Sequence, residues 1–353
     1  MAPRARRSRP PFSVSARSSR WIPALPRRSC RRVRRAAATG AATAAAETGA
    51  DAEVGVAGAA AVAVDESGPL PPGALGIGWR PEICGVIATL TGLGFCEVIA
   101  ESLPRDRHRG GQPAVPEELA ALRARGVAVV PHGISLSLGG AEPVAGHRIE
   151  HLAACAAAVA APLVSEHVAF VRAGGLEAGH LLPVPRTREA LDALTGNIAR
   201  TRAALEVPLA LENIATLFDW PDDEYSEAEF LAELVDRTGV LLLLDLANVY
   251  ANARNRSREP LTELLRLPAE HVAYCHVAGG HESGGRYHDT HTDPLPAEVL
   301  ALVAEFTARH PAPMMLERDG NYPPAAELLD ELDAIAAAAA RSPITAGARA
   351  EPA

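Results

Sequence analysis

The sequence predicts a (β/α)8 TIM barrel behind a disordered amino-terminal tail. Three observations carry this. From Leu75 onward, eight short β-rich apolar runs alternate with segments in which apolar residues recur every three or four positions. Nearly every apolar run ends in a carboxylate, a histidine or an asparagine. Residues 1 to about 70, by contrast, are rich in Arg, Ala and Ser with almost no periodic apolar pattern, a composition that argues for disorder.

Taken in order, the strands read 75–79 (LGIGW), 95–101 (FCEVIAE), 127–134 (VAVVPHGI), 162–168 (PLVSEHV), 208–214 (PLALENI), 240–247 (VLLLLDLA), 271–277 (HVAYCHV) and 313–318 (PMMLER). Between them, 116–125, 147–160, 187–205, 226–237, 260–267 and 296–309 combine helical apolar spacing with good helix formers and read as amphipathic helices. A strand and a helix repeated eight times over about 265 residues is the arithmetic of this barrel. The chain therefore divides into a tail over 1–70, a metal-binding barrel domain over 71–340 and a short disordered tail over 341–353.

Composition narrows the function. An apolar fraction of 48% supplies ample core. All 34 basic residues are arginines; twelve lie in residues 1–46, which hold no Asp or Glu, so the other 22 face all 43 acidic residues. A body this acidic lacks the basic stripe of a nucleic-acid binder. No uninterrupted apolar run approaches the ~20 residues needed to span a bilayer, so a soluble protein with no membrane partner is expected. Cys30, Cys84, Cys96, Cys155 and Cys275 show no CxxC spacing, and three sit inside apolar runs, the pattern of small buried thiols in a reducing cytoplasm. The arginine-rich tail has three readings: a dispensable extension, a transit-like segment, or a basic arm.

The strand ends carry the candidate chemistry: Glu101, His132, Glu166, His167, Glu212, Asn213, Asp245, His276 and Glu317. In this barrel class the site is built at the carboxyl ends of the strands. The Gly-rich stretch His276–Asp293 (HVAGGHESGGRYHDTHTD) adds His281, His288, Asp289, His291 and Asp293. Convergence of Glu212, Asp245, Asp289 and Glu317 on one mouth is costly unless cations neutralise them. Imidazole with carboxylate suits iron, manganese or zinc, and the donors exceed what one ion needs, so two or three are inferred.

Adjacent Glu166 and His167 face opposite sides of a regular strand, so His167 is favoured as the ligand and Glu166 as an orienting or rim carboxylate. Asp289 and His291, two apart, can face the same way. His108, His147, His151, His271 and His310 read as surface or core-edge residues, and the acidic run 222–229 as a helix start. His180 either reaches the mouth or fixes its own loop. Gly73, Gly76 and Gly78 match neither nucleotide-loop pattern, and no G-x-S-x-G elbow is present.

The motifs GIGWR, FCEVIAES, PHGISLSLGG, VSEHVAFV, LLPVPRT, LENI, LLLDLANVY, HVAGG, HDTH and LERDGN occur together and in order. Over about residues 75–335 this resembles the DUF692 family, also called UPF0276, which includes the methanobactin-type oxazolone synthase catalytic subunit. The resemblance implies a barrel of the xylose-isomerase-like type that holds two or three iron ions and uses dioxygen to oxidise a cysteine of a ribosomally made peptide. It also implies a small partner protein that recognises the leader of a Cys-containing precursor peptide. Carried over by motif, the metal ligands are His132, His167, Glu212, Asp245, His276, Asp289, His291 and Glu317. Asn213 and Asn248, with Glu101 and Glu166, become supporting or substrate-contacting residues. The loop here reads AGGHES where many members place a His directly after AG, which leaves the place of His281 open. Two other readings share the barrel: a metal-dependent sugar isomerase or phosphodiester hydrolase, and a metal-binding subunit without catalysis of its own.

Overall fold

The computed structural model describes residues 68–106 and 110–350; the tail reading up to residue 67, Cys30, His108 and residues 351–353 lie outside them. Eight parallel strands close a barrel: β1 (Leu75–Gly78), β2 (Phe95–Ile99), β3 (Ala128–His132), β4 (Val164–His167), β5 (Leu209–Glu212), β6 (Leu241–Asp245), β7 (Val272–Val277) and β8 (Met314–Leu316). Each pairs with its sequence neighbours, and β1 closes the ring against β8. These are the eight runs expected, trimmed at their ends. Among the described residues, ten α-helices accompany them: α1 (Cys84–Thr89), α2 (Glu117–Ala124), α3 (Gly146–Val159), α4 (Arg188–Arg202), α5 (Glu227–Thr238), α6 (Leu246–Asn255), α7 (Pro260–Leu264), α8 (Ala297–Thr307), α9 (Ala325–Ala338) and α10 (Ala346–Ala350).

Strand alternation sorts side chains into two cores. One face packs on the helices, with Cys96, Val98, Val129, Leu211, Leu242 and Leu244 buried against residues such as Leu119, Leu152, Leu194 and Leu302. The other fills the barrel with Phe95, Val130, Leu163, Ala210, Leu243, Tyr274 and Met315. Two positions after each of these inward residues comes a polar one: Glu97, His132, Ser165, Glu212, Asp245, His276 and Glu317. An apolar plug thus carries a polar storey on top, nearer the strands' carboxyl ends. Gly76 is glycine because a Cβ there would lie 2.6 Å from the Phe95 ring.

Four helices, α1, α6, α9 and α10, lie outside the segments read as helical. α6 follows β6 without a loop, with Asp245 as its amino-terminal cap, so the strand ends two residues before the apolar run 240–247 does. Residues 246–253 of the helix are all buried, and its first turn continues the apolar run of β6, which hides where the strand ends and the helix begins. The disordered tail expected over 341–353 is corrected over its described part: Ile344 and Thr345 are buried. Thr345 Oγ1 donates to Asp333 Oδ1 at 2.6 Å, and Arg349 Nη2 reaches Asp330 Oδ1 at 2.7 Å, tying α10 to α9. A few apolar contacts and the side chains of Arg341, Thr345 and Arg349 hold this short segment, too little for a periodic pattern. The acidic run before α5 is a helix start, with Ser226 and Glu229 forming a reciprocal capping box. Among the described residues, no helix is long and apolar enough to cross a membrane.

Candidate metal centre

Six consecutive strands deliver one donor each to the mouth: His132, His167, Glu212, Asp245 and His276 from β3 to β7, and Glu317 just past β8. Asp289 and His291 fold in from the segment after β7, beyond an antiparallel hairpin that pairs His281 with His288. The donors fall into four overlapping groups that could hold a metal ion. His132, His167 and Glu212 form one, and Glu212 with Asp245, His276 and Glu317 another. Asp245, Asp289 and His291 form a third; His291, Glu317 and Asp319 form the last. Glu212, Asp245, Glu317 and His291 each belong to two groups, so the sites are contiguous rather than separate.

The distances show how tightly they converge. Glu212 Oε2 lies 3.4 Å from His132 Nε2 and 3.3 Å from His167 Nε2, while its Oε1 lies 3.5 Å from His276 Nδ1. Glu317 Oε2 is 2.8 Å from His276 Nδ1 and 3.1 Å from His291 Nδ1. His291 Nε2 is 2.5 Å from Asp289 Oδ2 and 3.7 Å from Asp245 Oδ2. Yet Glu212 Oε2, Asp245 Oδ2, His276 Nδ1, Asp289 Oδ1 and Glu317 Oε2 are buried with no hydrogen-bond partner. Close approach without hydrogen-bond geometry means the lone pairs aim at shared points between the residues. That is what cations require and what a hydrogen-bonded network avoids.

The electrostatics agree. Burial and the neighbouring Asp289 push Asp245 well above the usual carboxylate range. Burial disfavours imidazolium at His167, but Glu212 and Glu166 outweigh it and raise its pKa to about 9. His276 and His291 are likewise raised against burial, chiefly by Glu317 and by Asp289 respectively. Protons on these groups are the positive charge the carboxylates demand when no cation supplies it.

Supporting residues hold the donors in place. Glu166 is buried and turned away from the cluster, accepting the backbone N–H of Leu136 and of His167, at 2.6 and 2.5 Å. Asn213 clasps the Asp245 backbone at both ends, Oδ1 accepting from its N–H at 2.9 Å and Nδ2 donating to its carbonyl at 3.1 Å. Asn248 donates its backbone N–H to Asp245 Oδ1 at 2.9 Å and its amide to the Asn213 carbonyl at 3.0 Å. Gly279 lets the loop after β7 pass beside the 293–294 backbone, where a Cβ would lie 2.2 Å from the Asp293 carbonyl. His291 adopts φ +53, a left-handed conformation uncommon outside glycine, and so turns its ring inward.

A family model for the RiPP precursor modification enzyme MbnB/TglH/ChrH matches residues 74–340. The chain belongs to this family. A UPF0276 protein of Streptomyces avermitilis is 50% identical over 268 residues, covering 74% of this chain and 54% of that protein, so this chain spans about half of that relative. A UPF0276 protein of Caulobacter vibrioides is 37% identical over 240 residues, with 68% and 84% covered. Among solved structures, endonuclease IV from Thermus thermophilus aligns with a TM-score of 0.47 at 19% identity, covering 75% of this chain and 98% of that one. An E. coli 3-keto-D-glucoside 4-epimerase aligns at 0.46 and 13%, covering 74% and 98%. Neither likeness bears on the reaction.

In this MbnB/TglH/ChrH family member some candidates stand apart from the cluster. Glu101 is exposed on a 3-10 turn after β2 and accepts from Ile134 N at 3.2 Å and Ser135 Oγ at 2.5 Å, fixing the loop after β3. His180 is exposed on the hairpin strand 176–183. His281 is exposed and pairs with Asp293 at 3.0 Å; His288 meets the Ser283 carbonyl at 3.2 Å. Two residues of the site lie outside the strand-end set. Asp319 bridges His291 Nδ1, at 3.2 Å, to the buried Arg80, at 2.5 Å. Glu97 lies fully buried inside the barrel against His276. The spacing from Phe95 marks Glu97, since it repeats the two-residue step seen in β3 to β8.

Proposed function

We propose that this chain is a multinuclear iron enzyme that uses dioxygen to oxidise a cysteine of a ribosomally made precursor peptide. Family membership supports the peptide substrate. The observation that carries the metal reading is the run of shared donors, in which Glu212, Asp245, Glu317 and His291 each serve two adjoining groups. His132, His167, Glu212, Asp245, His276, Asp289, His291 and Glu317 would hold two or three ions. When bound, iron in such mixed imidazole and carboxylate ligation supplies open positions for a thiolate and for dioxygen.

The chain's own residues do the rest. Asn213 and Asn248 keep Asp245 from turning, Glu166 fixes the backbone at His167, and Arg80 with Asp319 closes the side of the mouth beside Glu317. A partner protein that presents the precursor's leader, and a cytoplasmic setting, complete the reading. The four described cysteines are unpaired, which fits a reducing compartment. Anaerobic purification with metal analysis, followed by oxygen uptake with a Cys-containing peptide, tests it. Tightly bound iron and peptide-dependent oxygen consumption are expected. A folded protein without transition metal, or anaerobic turnover of a sugar or of abasic DNA, would overturn it.

A further inference from the structure

Below the metal cluster runs one continuous buried hydrogen-bond chain. Glu97 Oε2 faces His276 Nε2 at 3.0 Å and the Tyr274 hydroxyl at 2.5 Å. That hydroxyl lies 2.8 Å from Ser165 Oγ, which lies 2.9 Å from His132 Nδ1. All five residues are at most 3% exposed. A carboxylate oxygen only accepts, which gives the chain a direction. His276 Nε2–H and the Tyr274 O–H donate to Glu97. Having spent its one proton, the Tyr274 oxygen accepts from Ser165, and the Ser165 oxygen accepts from His132 Nδ1–H.

This direction leaves opposite nitrogens free on the two rings. His132 Nε2 faces Glu212, and His276 Nδ1 faces Glu317 and Glu212. A metal-binding histidine usually gives its other N–H to such an acceptor, which selects the tautomer and aims the ring. Glu97 belongs to none of the four donor groups. We infer that Glu97 is the positioning residue that sets both rings, His276 directly and His132 through Tyr274 and Ser165. The inference rests on the metal-centre reading above.

The test uses the full chain loaded with zinc, a diamagnetic ion, with ring nitrogens followed by 15N NMR and zinc affinity by competition with a chelator. The wild type should show His132 protonated at Nδ1 and His276 at Nε2. Tyr274→Phe keeps the ring that packs edge-on to Phe95 but cuts the branch to His132. It should shift or lose the His132 Nδ1–H signal, leave that of His276 in place, and weaken zinc binding by about 10- to 100-fold. Glu97→Leu should disturb both rings, whereas Glu97→Gln, whose carbonyl can occupy the Oε2 position, should restore most of the affinity. A chain that takes up no zinc overturns the metal-centre reading and this inference with it. Zinc uptake with His132 protonated at Nε2, or a Tyr274→Phe variant that moves both rings or neither, overturns the Glu97 assignment alone.

Discussion

Glu212 and Glu101 are both carboxylates at the end of an apolar run, yet they do different work. Glu212 is buried and shared by two donor groups. Glu212→Ala should therefore lower bound metal more than His132→Ala, which touches one group; metal analysis after anaerobic loading compares them, and equal losses would contradict the sharing. Glu101 accepts from the loop at Ile134 and Ser135 on the surface. Glu101→Gln should leave metal content unchanged and cost at most about 1 kcal/mol in urea unfolding, the worth of an ordinary hydrogen bond. The difference was half legible. Residue type at a strand end is visible in the sequence, but Glu97 and Glu101 have the same strand parity, and only the chain's turn after Ile99 puts one inside the barrel and the other outside.

At the scale of elements, the eight strands were legible because nearly all of them read as short continuous apolar runs, as strands buried on both faces do. Among the helices that escaped, α6 is hidden because its first turn continues the apolar run of β6, and α1 and α10, of six and five residues, are too short to show a period. For α10 the consequence is measurable. Ile344 is buried against the barrel's helical layer, so Ile344→Ala should cost about 2–4 kcal/mol of unfolding free energy. A cost near zero would mean the segment is dispensable. The loop after β5 depends on a charge instead. Asp219 accepts from Arg256 Nε at 2.9 Å and Arg186 Nη2 at 3.0 Å, and the Arg256 hydrogen bond, opposed by burial, leads the lowering of its pKa. A depressed folded-state pKa gives stability that is present above the unfolded aspartate value, near 4, and is lost as pH falls through the folded value. Wild type should therefore exceed Asp219→Asn in stability at pH 6, with the gap closing below about pH 4; a gap that widens on acidification would refute the assignment.

Over the whole molecule, two kinds of stability are stacked in one barrel. The apolar plug and the helical layer need nothing from outside, since Phe95, Leu163, Leu243, Tyr274 and Met315 are buried among themselves. The storey above gathers Glu212, Asp245, Asp289, Glu317 and Asp319 at one mouth, with several buried oxygens unpaired. Carboxylates brought together this way repel unless protons or cations intervene, and protons are the poorer solution because they leave those oxygens unsatisfied. Metal binds the folded arrangement and not the unfolded chain, so it adds about 4 kcal/mol when free metal exceeds its dissociation constant a thousandfold. For a domain of this size that is a rise in Tm on the order of 10 °C. Stripping metal with a chelator should lower Tm by that order while far-ultraviolet circular dichroism stays native, because the plug and helices remain packed, and returning iron under anaerobic conditions should restore it. An unchanged Tm would mean that the polar storey is balanced without metal, and the donor groups would then need another explanation.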